Sequence, residues 1–541
     1  MRNNQKLSLR KKAVNQKIME HRKINEENRT LNYIDSRKLN LIPFQEDIQK
    51  LLCLKTGQDK ILYMTTYLEN NVEVIDIFSN ALYYGNNNNN EKMLTDLDKF
   101  FLLYILAILD KSVMKEYFPE KLIKENNFIF SKDNPLILSQ KLFQIYFSIL
   151  FNYKMEDVQI TIISLLLNYS QYSNDFINYC LNDIKYISKL FEITYTNNIN
   201  VVSEVGIILD NIIINENCDE DKINEILKSI PIIKRCHELI YTVNFVNNVK
   251  KCYLDLLLSL VQNIDQEDYN RYFIDFIYVF SNILSTSSMD EDLYNLIIKI
   301  TVKLSISEKI CEKIMTTGLG YIFYNSLSKP KLEKEYIQKI LQIFSNLFYL
   351  DDIAEHYLKY DNGKFISILI KIINTCLHSR NEKDISLLKE VLFVLSNLAA
   401  GSQEVQTKIS KSEIPSLVIQ IMKIKTDNDI YFEGIHFFNN IITDCNKETF
   451  ATISELHPFK LFAKGLENTG IMDNYELCLN AILNLIQKNN EVYHTLENLK
   501  NDFYICGAKR KIDDLCLCSE KEIANKAISI INCFDDKMKT D

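Results

Sequence analysis

The sequence predicts an all-α fold in which short helices stack as a solenoid and no single globular core forms. Three observations predict it. The 541 residues contain only 11 glycines and 7 prolines, far below the combined share of roughly 12% found in average chains. Sandwiches, barrels and glycine-loop nucleotide folds are therefore poor fits. From residue 39 onward, apolar residues recur at i, i+3, i+4 and i+7 in segments of about 10 to 16 residues, separated by short polar loops. That is the helical period. The third observation is a word repeated at intervals of roughly 40 to 50 residues.

Taken in order, residues 1–38 carry a run of cations, among them Arg10, Lys11, Lys12, Lys17, Arg22 and Lys23, with few large apolar side chains. They are predicted to form a flexible basic arm. Residues 39–535 are predicted to form the solenoid, about ten repeats long. Within it Asn86 to Asn90 has no apolar content and is expected to be a disordered loop inserted between helices. The polar residues 536–541 are expected to be a disordered tail.

The repeated word is clearest in Glu390-Val-Leu-Phe393-Val-Leu-Ser-Asn397, which is followed by a helix start at Gln403 and another opened by Pro415. Glu433-Gly-Ile-His436-Phe-Phe-Asn-Asn440 repeats it one period later. Upstream, the same register falls on Asn346, Lys303, Ser259, Asn211 and Asn168. This period is that of armadillo repeats, which build a right-handed superhelix. In the first word Leu392, Leu395 and Ala399 share one helix face, while Glu390, Phe393 and Asn397 share another. In the second, Ile435, Phe438 and Ile442 are the inward set, and Glu433, His436 and Asn440 are displayed. Stacking the repeats should align the displayed stripes along a concave groove.

Composition narrows the function. Net charge is −9, from 62 basic and 71 acidic residues, so the whole chain has no electrostatic footprint for direct nucleic-acid binding. Apolar runs such as Phe101 to Leu109 fall short of the roughly 18 residues that span a bilayer, and the N-terminus lacks a signal-peptide core. An intracellular protein without membrane insertion is expected. The 13 cysteines are scattered without paired ligand spacing, so they are read as reduced apolar residues, with no metal site. No catalytic residue is assigned and no cofactor is expected. The seven histidines are dispersed, and Asp351-Asp352 and Asp513-Asp514 are adjacent pairs whose side chains diverge on a helix.

On these residues the chain resembles the importin-α family of nuclear-import adaptors. The Glu390 to Val418 segment is similar to that family's asparagine-containing word followed by an Ile-Pro helix opener. Asn346-Leu-Phe-Tyr-Leu-Asp351-Asp352 looks like another of its repeats. Gly507 to Leu515 and Asn525 to Phe534 resemble its closing repeat. The likeness covers roughly residues 150 to 535. Leu9-Arg10-Lys11 followed by Glu20-His21-Arg22-Lys23 is similar to part of the family's importin-β-binding segment. The resemblance implies an adaptor moving between cytoplasm and nucleus. Its partners would be importin-β, cargo proteins with basic nuclear localisation signals, and a nuclear export receptor.

The resemblance also implies site residues. In the family, groove asparagines hydrogen-bond the signal's main chain, and tryptophans one turn earlier form walls for Lys and Arg stems. This chain has no Trp. Its wall positions hold Ser164, Ile207, Asp255, Lys299, Gln342, Phe393 and His436. The C-terminal zone, Asn346, Glu390, Phe393, Asn397, Glu433, His436 and Asn440, is expected to bind first. The N-terminal zone, Ser164, Asn168, Ile207, Asn211 and Asn215, is expected to bind more weakly, with Lys299 and Lys303 beyond it repelling a basic ligand. An armadillo scaffold for a different extended segment is the alternative, favoured by the Trp-free groove.

Overall fold

The computed structural model describes residues 156–172, 174–242, 247–285, 290–329, 332–424, 427–467 and 471–535, together with Phe143, Tyr146, Phe147 and Leu150. The chain divides into two compact units, Met1–Asn134 and Pro135–Asp541, and these residues all belong to the second. The arm of residues 1–38, including Arg10, Lys11, Lys12, Lys17, Arg22 and Lys23, lies outside them. So do the Asn86–Asn90 loop and the 536–541 tail.

Among the described residues every regular element is helical, and the helices fall into triplets. The third helix of each triplet is generally the longest. These are Ile199–Ile213, Asn247–Asn263, Glu291–Leu304, Lys334–Leu347, Glu382–Ala399, Asn428–Asp444, Met472–Tyr493 and Lys521–Asp535, with Glu156–Tyr172 leading the row. Each packs against the next, so the third helices form one continuous wall. Two shorter helices precede each and cover its other side, for example Gln403–Ser410 and Ile414–Ile424 before Asn428–Asp444. This is the armadillo-type solenoid that the period predicts.

Local chemistry sets the breaks. Several third helices open on an Asx cap: Asn198 accepts from the Asn200 and Val201 amides, Asp290 from Asp292 and Leu293, Asn381 from Lys383, and Asp427 from Asp429 and Ile430. Each cap satisfies amides that have no partner within the helix, a contribution of about 1 kcal/mol. Some junctions between first and second helices turn through a left-handed residue. Gly318, Gly363 and Gly507 do so with φ of 79°, 77° and 76°. At the corresponding junction before Pro458–Glu467 the residue is His457, φ 51°, where a Cβ makes that conformation unfavourable by roughly 1–2 kcal/mol.

The inward stripes are as the spacing predicts. Leu392, Leu395, Ala399, Ile435, Phe438 and Ile442 are all fully buried. Where Lys334–Leu347 meets the two helices that follow, the core is aromatic. The Phe344 ring lies 5.5 Å from Phe348, 5.0 Å from Tyr357 and 5.1 Å from Phe365.

One buried carboxylate ties two third helices together. Asp384, in the first turn of Glu382–Ala399, pairs with Lys334 at 2.5 Å and accepts from Cys376 Sγ at 3.5 Å. Lys334 above all, then Ser379, holds its carboxyl below the usual value of 3.8. The folded chain thus binds this proton less readily than the unfolded chain does. The stabilisation is complete above that value and disappears as pH falls through the lowered pKa. Asp384→Asn is therefore expected to lower the thermal midpoint at pH 7 but not at pH 2, measured by circular dichroism melts across that range.

Candidate functional site

The displayed stripe is built from third-helix residues one turn apart. Asn346, Glu390, Phe393, Asn397, Glu433, His436 and Asn440 are all half-buried on the wall, as are Ile207 and Asn211, whereas Asn215 lies beyond the end of Ile199–Ile213, in the turn that follows it. Ser164 and Asn168 lie on the Glu156–Tyr172 helix, but their side chains fall outside the described residues.

The register asparagines do more than face outward. Asn397 Nδ2 donates to Ser345 O at 2.7 Å and lies 3.2 Å from Ser345 Oγ, on the neighbouring third helix. Asn440 repeats the contact with Ser396, at 2.9 Å to the carbonyl and 3.1 Å to the hydroxyl. Asn346 donates to Ser305 Oγ at 2.8 Å, and Asn211 to Ser170 Oγ at 2.9 Å. At Ser259 the register residue is a hydroxyl, which donates in the same sense to buried Asp210 at 2.5 Å. The amides thus form rungs between successive repeats, each a net contribution of about 1 kcal/mol. A primary amide has two donors and a carbonyl. The Oδ1 of Asn346, Asn397 and Asn440 accepts no hydrogen bond among the described residues. These carbonyls are suited to accept N–H donors of an extended segment laid along the wall.

Other predicted positions have different surroundings. Gln342, read as a wall position, donates Nε2 to Glu390 Oε2 at 3.0 Å, so this pair joins two repeats. Asn215 donates to Asn174 Oδ1 at 3.3 Å across the first zone. Lys389 bridges Asp427 and Asp429 of the next repeat at 2.9 and 3.0 Å. The wall changes sign along its length. Lys299 and Lys303 are half-buried on Glu291–Leu304, whereas Glu390 and Glu433 occupy the displayed stripes of the later repeats.

Two features escape sequence reasoning. Asn484 continues the row: its Nδ2 donates to Asn439 Oδ1 at 3.0 Å and lies 3.2 Å from Thr443 Oγ1. Its spacing from Asn440 was the available signal. Tyr349 and Ile306 are 70% and 39% exposed, each one turn beyond a register position, and offer further apolar surface.

Reactive chemistry is sparse among the described residues. No cluster of three or more His, Cys, Asp or Glu side chains is placed to hold a metal ion. Burial pushes the thiols of Cys311 and Cys478 up to about 12, leaving them protonated and unreactive at neutral pH. No described helix is long and apolar enough to cross a membrane.

The fold is shared with solved structures. An engineered protein matches 91% of this chain and 99% of its own, with 13% identity and a TM-score of 0.59. A structure concerning the phosphorylation switch in the interaction between cadherin and β-catenin matches 83% of this chain and 78% of its own, with 12% identity and a TM-score of 0.55. A designed armadillo repeat protein matches 48% of this chain and 100% of its own, with 16% identity and a TM-score of 0.40. No family model matches the sequence, and neither does any curated protein. At these identities the likeness is one of fold. The chain has the armadillo-repeat architecture.

Proposed function

We propose that this chain is a protein-interaction adaptor that holds an extended segment of a partner against its third-helix wall. The observation that supports this reading is the row of half-buried asparagines, Asn346, Asn397 and Asn440, whose Oδ1 atoms remain available to a main chain. Main-chain recognition is tolerant of sequence, so neighbouring side chains select the ligand. Glu390 and Glu433, with the faces of Phe393 and His436, favour Lys and Arg there. The β-catenin structure concerns an interaction with another protein, cadherin, which accords with a binding role for such a fold. The chain is read as a binding protein and not as an enzyme.

The more specific reading follows the importin-α resemblance. In it, basic nuclear localisation signals occupy the wall between Asn346 and Asn440, residues 1–38 engage importin-β, and the final repeats meet an export receptor as the chain shuttles between cytoplasm and nucleus. A scaffold for a different, non-cationic segment is the second reading. It is favoured by the absence of Trp and by Lys299 and Lys303 on the same wall.

The test is calorimetric titration of the full chain with monopartite and bipartite basic peptides, with a parallel pull-down of importin-β. Asn397→Ala combined with Asn440→Ala is expected to weaken peptide binding roughly thirtyfold, from two main-chain hydrogen bonds of about 1 kcal/mol each. The same change removes two inter-repeat rungs, so melts of the variant must accompany the titration. Unchanged affinity in a folded variant refutes the wall assignment. Absent basic-peptide binding together with no importin-β capture moves the assignment to the scaffold.

A further inference from the structure

Away from the third-helix wall, a cleft opens between the shorter helices of two successive repeats. It has a volume of about 380 Å³. That is at the lower end of the roughly 300–1,000 Å³ typical of small-ligand sites. Lys234 and His237 of the Ile232–Tyr241 helix line one side, and Arg271, Tyr272 and Asp275 of the next repeat line the other.

Several observations give this cleft a chemical preference. Lys234 and Arg271 form no ion pair among the described residues, although they face one cavity from different repeats. Arg271 is held by its own neighbour, its guanidinium lying 5.0 Å from the centre of the Tyr272 ring. His237 meets Phe276 edge-on at 5.3 Å, which fixes the imidazole at the rim. No side chain caps the start of the Ile232–Tyr241 helix at Pro231, and its first turn has no acidic residue. The positive end of that helix dipole adds to the two cations. Half-buried Tyr272 supplies aromatic surface next to the charge, over the buried Phe276 ring.

We propose that this cleft binds a phosphate monoester carried on an aromatic stem, namely a phosphotyrosine side chain of a partner protein. Lys234 and Arg271 take the phosphate oxygens, with Arg supplying a two-pronged donor set. Tyr272 takes the ring. Asp275 is the one carboxylate in the lining and would repel a free anion. It is matched instead by a main-chain N–H beside the phosphorylated residue, which a peptide provides and a simple aryl phosphate lacks. This site is independent of the third-helix wall.

The experiment is titration of the full chain with N-acetyl-phosphotyrosine amide, its unphosphorylated counterpart, phenyl phosphate and inorganic phosphate, followed by calorimetry. The phosphotyrosine amide is expected to saturate and to bind most tightly, inorganic phosphate more weakly, and the unphosphorylated amide not at all. Lys234→Glu and Arg271→Glu, both at exposed positions, are each expected to weaken binding at least about tenfold while leaving the melting midpoint unchanged. Failure of the phosphotyrosine amide to saturate, equal binding of the unphosphorylated probe, or affinity unmoved by the charge reversals overturns the proposal. Phenyl phosphate binding as tightly as the blocked amino acid overturns the assignment to a protein partner.

Discussion

Replacing Phe344 by Ala is expected to destabilise the chain by about 3–5 kcal/mol, within the range for deleting a fully buried aromatic ring. Phe344 is completely buried where three helices of adjoining repeats meet. Its neighbours Phe348, Tyr357 and Phe365 are rigid rings, with Tyr357 set perpendicular to it at 5.0 Å. Such rings collapse poorly into a void, so the loss should fall in the upper part of the range. Because repeats touch chiefly their neighbours, the damage should also stay local. Hydrogen exchange is expected to accelerate first across residues 334–376, with distant repeats keeping their protection. Urea unfolding supplies the magnitude. A cost under about 1 kcal/mol would mean that this cluster is not the close-packed core its distances indicate.

The second large effect is a steric one with a specific rescue. Gly320 sits in the Leu319–Leu327 helix, and a Cβ placed there would overlap Tyr357 Oη. The Tyr357 ring has little room to retreat, with Tyr321, Tyr324 and Phe344 rings at 5.6, 6.1 and 5.0 Å. Gly320→Ala is therefore expected to cost about 1–3 kcal/mol despite the better helix propensity of Ala. Tyr357 Oη is buried without a hydrogen-bond partner among the described residues, and burial pushes its phenol well above the ordinary value of 10.0. Removing that hydroxyl should be nearly neutral or stabilising. Tyr357→Phe in the Gly320→Ala background should restore most of the loss. A double-mutant cycle from urea unfolding gives the coupling, and strict additivity would show that the two residues do not meet.

Much of the fold could be read along single helices. The inward faces of the Glu390 and Glu433 words are the buried ones, since a 3.6-residue period is a local property of the chain. The displayed stripe was likewise legible at Glu390, Phe393, Asn397, Glu433, His436 and Asn440. What one helix cannot reveal is its sideways register against the next. That register decides that Asn397 donates to Ser345, Asn440 to Ser396, and Gln342 to Glu390. Asn484 was missed because its surroundings, Leu483 and Leu485, lack the acidic and aromatic flanks of the earlier words. The left-handed turn at His457 was equally hidden. Its counterparts at 318, 363 and 507 are glycines, and histidine carries no such signal.

The rungs between neighbouring third helices also bear on how the molecule responds to force. Each joins side chains far apart in sequence, as with Asn440 and Ser396, and each secures only one junction. Tension applied along the axis is therefore expected to load the junctions in series, each held by its own rung beside its own buried apolar contacts. Such an array is expected to yield one junction at a time under load.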